Sequence, residues 1–118
     1  MRGRVSIPVA KPLLGMEEAE AARRVIESGW LTQGAEAAAF EEEFANYVGA
    51  SNVCVVSNCT SALHLALLAI GAETGDEIIT VSHSFIATAN AIVYTGATPV
   101  FVDIADIGYN MDPVKFQS

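Results

Sequence analysis

Residues 1–15 carry Pro8, Pro12 and Gly15 and show no period of 2 or 3.6 in their apolar positions, which predicts an extended arm. Glu17, Glu18 and Glu20 then open a helix with Arg23 and Arg24 toward its end and Gly29 after it. Acid first, base last and glycine beyond is the order that the helix dipole favours. Trp30 to Gly34 reads as a loop. A second helix is predicted from about Ala35 to Val48, because Phe40, Phe44, Tyr47 and Val48 fall at i, i+4, i+7 and i+8. Glu41, Glu42 and Glu43 lie mostly to the side of that stripe, and Gly49 stops it.

From residue 53 the pattern changes. Val53 to Val56 is a short run, apolar on both faces, as a buried parallel strand requires. Thr60 to Ile70, rich in Ala and Leu and ended by Gly71, predicts a helix. Glu77 to Val81 predicts a strand, Phe85 to Tyr94 a helix closed by Gly96, and Pro99 to Val102 a third strand. Strand, helix, strand, helix, strand at this spacing predicts two consecutive right-handed βαβ crossovers in a parallel sheet covered on both faces. The fold class is α/β. Asp112-Pro113 has the form of an N-cap with proline in the first helical position, and only Val114 to Ser118 follow it. A single turn rarely persists alone, so the chain reads as an incomplete piece of a longer one.

Composition narrows the partners. The chain has 118 residues, enough for one domain, and 52% of them are hydrophobic, which suits a folded chain. Its net charge of −8 repels nucleic-acid phosphates and anionic membrane surfaces. An anion can still bind where backbone amides attract it. Cys54 and Cys59 do not form a CxxC pair and are expected as reduced, buried thiols. His64 and His83 have no partners at metal-ligand spacing, so no metal is expected. Arg2 and Arg4 precede a stretch too short and interrupted for a signal peptide, and Ala62 to Ile70 is far short of a membrane span. A cytoplasmic protein is expected.

Two places could carry chemistry. At Val56-Ser57-Asn58-Cys59-Thr60-Ser61-Ala62 a strand ends, a polar turn follows and a helix begins. Ligands of open α/β sheets bind beyond the carboxyl ends of strands, where a helix N-terminus presents free N–H groups to an anion. Thr60 and Ser61 add two hydroxyls; equally, Asn58 or Thr60 could merely cap the helix. No glycine-rich nucleotide fingerprint is present. The second place is Ser82-His83-Ser84-Phe85, where Phe85 could stack on a flat ring or belong to the core. His64 reads as a structural histidine and His83 as the better candidate for ligand contact; Asp103 either holds a ligand or caps a turn.

Three blocks together resemble the DegT/DnrJ/EryC1/StrS aminotransferases. They are Ser28-Gly29-Trp30-Leu31-Thr32-Gln33-Gly34 with Phe40-Glu41-Glu42-Glu43-Phe44, then Asn58 to Leu67, then Ser84 to Ile92 running into Gly96-Ala97-Thr98-Pro99-Val100-Phe101-Val102-Asp103. The match runs from about Ile7 to Pro113, and Val114 to Ser118 do not look like the family. The resemblance implies the aspartate-aminotransferase type of fold (fold type I) and a pyridoxal-phosphate (PLP) cofactor. It also implies a homodimer that moves an amino group, commonly from glutamate, onto a nucleotide-linked keto-sugar, in polysaccharide or sugar-antibiotic biosynthesis. By resemblance Thr60 and Ser61 bind the PLP phosphate, Phe85 stacks on its ring, and Trp30 and Thr32 lie on the substrate side. Residues 1–118 would be the N-terminal part of the large domain, with 1–34 its arm and first helix and 35–118 the start of the cofactor-binding domain.

Cys59 departs from the family, which has a small residue there, and could crowd the phosphate turn. The larger departure is the Schiff-base lysine, for neither Lys11 nor Lys115 stands in a matching block. No turnover is therefore expected from these 118 residues alone. The alternative is a non-catalytic short form that binds PLP or a full-length paralogue; an unrelated nucleotide-binding domain lacks its glycine signature. Open sheet edges and uncovered helix faces predict that the isolated piece aggregates and binds PLP weakly.

Overall fold

The computed structural model describes residues 7, 8 and 10–115. Much of the predicted arm (1–6 and 9) and the last three residues of the predicted terminal helix (116–118) lie outside them. The chain forms two compact units, residues 1–55 and 56–118.

The first unit holds α1 (Met16–Ser28) and α2 (Ala35–Val48). Glu18 carboxylate Oε2 accepts from the Gly15 backbone N–H at 2.7 Å, which meets one unpaired donor at the start of α1. Arg23 and Arg24 stand inside α1, not in its last turn, so dipole compensation is not their role. Arg23 instead bridges Glu20 and Glu27 along the helix surface. On α2 the Phe40 and Phe44 rings stack with centroids 5.6 Å apart, and Tyr47 is 87% exposed. The predicted stripe exists, but no described residue covers it.

Residues 53–56 are extended without being a strand. Glu41 Oε1 accepts from the Val55 N–H at 2.8 Å, and Gln33 Nε2 donates to the Val55 carbonyl at 3.3 Å. Side chains have taken the bonds that a ladder would use, and no strand among the described residues pairs here. The first of the two expected crossovers therefore does not form. The sheet is two-stranded, not three-stranded.

The second unit contains α3 (Cys59–Ala69), β1 (Glu77–Val81), α4 (Ala87–Tyr94) and β2 (Thr98–Val102). β1 and β2 are parallel, with Glu77 opposite Thr98 and Val81 opposite Val102. Ala87, Ala91 and Ile92 of α4, with Ala97 and Thr80, form a small core against the strands; Ala91 is only 1% exposed. Small side chains let the helix lie close to the sheet and to α3.

Beyond β2, Ile104 bridges Met111, and the Asp112 N–H donates to the Asp103 carbonyl at 3.1 Å. Asp112 Oδ1 accepts from the Val114 N–H at 2.9 Å, where the Asp-Pro pair predicts a helix start; residues 113 and 114 form a turn, and Lys115, the last described residue, is 3₁₀. Cys54 and Cys59 are free thiols, as expected, but exposed, not buried. Cys54 sits in the unpaired stretch and Cys59 at the open first position of α3, so neither has a packed layer over it.

Candidate functional site

The polar turn after Val56 builds the capped start of α3. Asn58 is the N-cap of α3, its Oδ1 accepting from the Ser61 N–H at 2.9 Å. That cap takes one orphan donor of the first turn, and the Ala62 N–H goes to the Asn58 carbonyl at 3.1 Å. Among the described residues the amides of Cys59 and Thr60 meet no protein acceptor. Of the two readings, the cap is the one seen: Asn58 caps the helix, and two amides of the first turn are left without a protein acceptor.

Thr60 and Ser61 line one open depression of about 290 Å³ with Asn58, His64 and Tyr94. The hydroxyl of Ser61 lies 3.3 Å from that of Ser57. His64, expected as structural, is half-buried, and its ring meets the Tyr94 ring edge-on at 5.6 Å, joining α3 to α4. It also faces this depression, a placement that the sequence reading missed. Its position four residues after Thr60 on one helix was the available signal. Cys59 is not among the residues that line the depression. Amides and two hydroxyls in an otherwise acidic chain fit a phosphate group by donor chemistry alone.

Phe85 lines a separate hollow of about 200 Å³ at the carboxyl ends of β1 and β2, with Val81, Ser84, Thr88 and Phe101. The ring is 77% exposed, so it belongs to no core and presents an aromatic face. Ser84 and Thr88 hydroxyls lie 2.8 Å apart beneath this loop. His83 does not line it; its ring stacks on Tyr109 at 5.6 Å. Trp30 and Thr32 line a third cavity, within the first unit.

Asp103 ties a turn. Its Oδ1 accepts from the Ile104 N–H at 2.9 Å, and its Oδ2 accepts from Lys115 Nζ at 3.1 Å. The Lys115 ammonium is first among the causes that hold the Asp103 carboxyl below its ordinary range, and Asp103 in turn raises Lys115. A depressed carboxyl contributes stability above its unfolded pKa and loses it as pH falls through the folded one. A raised amine contributes below its unfolded pKa and loses it as pH rises through the folded value. The clip is thus expected to loosen in acid, below the ordinary aspartate range, and again in strong alkali. Exchange of the Asp112 amide, followed by NMR at falling pH, reads the acid arm; protection unchanged through that range would refute it.

A parallel β-α-β unit with a helix start carrying free amides and an exposed aromatic at the strand ends is an α/β layer of the kind that binds ligands beyond the carboxyl ends of its strands. Residues 12–118 match the DegT/DnrJ/EryC1/StrS aminotransferase family, and the chain belongs to it. The match continues through the last residue, which corrects the expectation that resemblance stops at Pro113. The spore coat polysaccharide biosynthesis protein SpsC of Bacillus subtilis (strain 168) is 48% identical over 112 residues, 95% of this chain and 29% of SpsC. The crystal structure of S. venezuelae DesV is 38% identical, with a TM-score of 0.79 over 86% of this chain and 28% of that one. Spr1654 of Streptococcus pneumoniae in its PLP form is 28% identical, with a TM-score of 0.86 over 96% and 29%. The fold is that of the fold type I aminotransferases. The chain spans 29% of the length of the curated relative SpsC. Among the described residues no helix is long and apolar enough to cross a membrane, and no cluster could hold a metal ion.

Proposed function

We propose that this chain is the N-terminal part of a PLP-dependent aminotransferase that moves an amino group from glutamate to a nucleotide-linked keto-sugar, in polysaccharide or sugar-antibiotic biosynthesis. Residues 1–34 are the arm and first helix, and 35–118 the start of the cofactor-binding domain, of a cytoplasmic homodimer. The observation that carries this reading is the pair of acceptor-free amides at the start of α3, beside the Thr60 and Ser61 hydroxyls, in a chain of net charge −8.

PLP, when bound, supplies the electron sink that lets an amino group be exchanged between carbon skeletons. Thr60 and Ser61 hold its phosphate, assisted by the Cys59 and Thr60 amides. Phe85 offers its exposed face to the ring. Trp30 and Thr32 bind substrate. The covalent lysine lies elsewhere in the protein. Lys115 is unsuited because its ammonium is pinned by Asp103, which keeps it protonated, whereas a nucleophilic lysine must give up its proton.

The test is the full-length protein incubated with PLP, then with glutamate. It is expected to acquire the bound-cofactor absorption band and to lose that band on amination. Failure to take up PLP would overturn the proposal. Residues 1–118 alone are expected to show no glutamate-dependent amination, and turnover by that piece would refute the placement of the lysine elsewhere.

A further inference from the structure

The Phe85 ring is 77% exposed, so packing around it does little to set its direction. That direction follows from the backbone of residues 82–86, the loop that joins β1 to α4. The Ser84 N–H donates to the Ser82 carbonyl at 2.9 Å, and the Ser84 and Thr88 hydroxyls lie 2.8 Å apart. Both ties are local, within the loop or to the first turn of the helix that it enters.

His83 ties the loop to a distant segment. Its ring stacks on Tyr109, with centroids 5.6 Å apart and planes 29° from parallel. His83 stands two residues before Phe85, and Tyr109 lies in the loop that follows β2.

Tyr109 is held under strain. Its φ is +57°, and among the described residues it is the one non-glycine at positive φ. A left-handed backbone is disfavoured for a bulky side chain and persists only where its surroundings fix it. Here the loop is fastened at its base. Ile104 bridges Met111, the Ala105 N–H donates to the Asn110 carbonyl at 2.8 Å, and the Asp112 N–H to the Asp103 carbonyl. The anchoring end of the ring pair is therefore rigid, and the end it restrains is the loop that carries Phe85.

We propose that His83 and Tyr109 form an aromatic clasp that holds the 82–86 loop in the conformation presenting Phe85 to the PLP ring. Both are positioning residues, acting through Phe85 and touching no cofactor. This rests on the reading above, in which Phe85 stacks on that ring, and adds two residues to it. Released from Tyr109, the loop samples orientations that do not stack, and cofactor binding must order it again. The loss cannot exceed the strength of the clasp, which for one ring pair is a factor of about two to ten.

Absorbance titration of the full-length protein with PLP, beside hydrogen–deuterium exchange of the same protein free of PLP, tests it. His83→Ala is expected to speed amide exchange across residues 82–86 without cofactor, and to weaken PLP by about two- to tenfold. His83→Phe, which keeps a flat ring and loses both ring nitrogens, should restore both. Tyr109→Asn should match His83→Ala, since asparagine tolerates the left-handed turn and removes only the ring. In a Phe85→Ala background the two substitutions should weaken PLP no further, because the residue through which they act is gone. Unchanged exchange and PLP affinity in His83→Ala overturn the clasp. An undiminished loss in the Phe85→Ala background does so too, since His83 would then act on its own. Rescue by His83→Gln and not by His83→Phe would reveal a hydrogen bond to the ligand and also overturn it. Failure of the parent to take up PLP overturns the aminotransferase reading and the cofactor role with it. Exchange in the PLP-free protein still decides whether the clasp holds the loop.

Discussion

Replacing Ser61 with aspartate is expected to abolish PLP retention while leaving the protein folded. Ser61 is the third residue of α3, and its N–H is already held by Asn58. A carboxylate there is favourable to the helix itself, since negative charge in the first turn complements the dipole. The same charge stands beside the two free amides and repels a dianionic phosphate from them. Helix stability and anion binding therefore move in opposite directions. PLP affinity should fall by a factor on the order of a hundred, since a charge-assisted hydrogen bond is replaced by repulsion. Ser61→Ala, which deletes one hydroxyl without adding charge, should weaken PLP by only about tenfold. Absorbance titration with PLP measures both, and circular dichroism checks the fold. Full PLP affinity in the aspartate variant would show that the phosphate does not bind at this helix end.

Gly96→Val is expected to unfold or nearly unfold the second unit. Gly96 joins α4 to β2 with φ at +88°, a conformation that a β-branched residue adopts only under strain. A Cβ at this position would also run into the Thr74 hydroxyl. The turn cannot open to relieve the contact without cost. Its neighbour Thr98 donates to the Asp76 carbonyl at 2.9 Å, and the parallel ladder starts at the next pair, Glu77 with Thr98. Strain of roughly 1–3 kcal/mol from the backbone, with overpacking of similar size, removes a large part of a domain's usual stability. Urea denaturation should show a midpoint well below that of the parent, with Gly96→Ala also destabilised through the same φ. A midpoint unchanged in the valine variant would mean that this turn is not rigid as described.

The helices were legible because each announces itself locally. Gly29 and Gly49 follow α1 and α2 where the predicted stops fall, and the stripe Phe40, Phe44, Tyr47, Val48 marked α2 over the range that it occupies. β1 was equally plain, and β2 differed from expectation by one residue. Residues 53–56 show the opposite case. Their composition is that of a buried strand, but a strand exists only through a hydrogen-bonded neighbour, and none among the described residues supplies one. Glu41 and Gln33 satisfy the Val55 backbone instead. Burial failed for a related reason: the two cysteines are exposed because no described residue packs over them.

By itself the sequence determined the α/β class, the helix stops, the capped turn at Asn58 to Ser61 and the family to which the chain belongs. These are properties of neighbours along the chain: capping, dipole and periodicity act within a few residues. The tertiary structure decided what depends on residues far apart. It placed His64 against Tyr94 at the depression that Thr60 and Ser61 line, and it stacked His83 on Tyr109. It tied Lys115 to Asp103 and set Arg24 beside Trp30 in one cavity. No local rule sets such pairings, because they follow from how the chain folds back on itself.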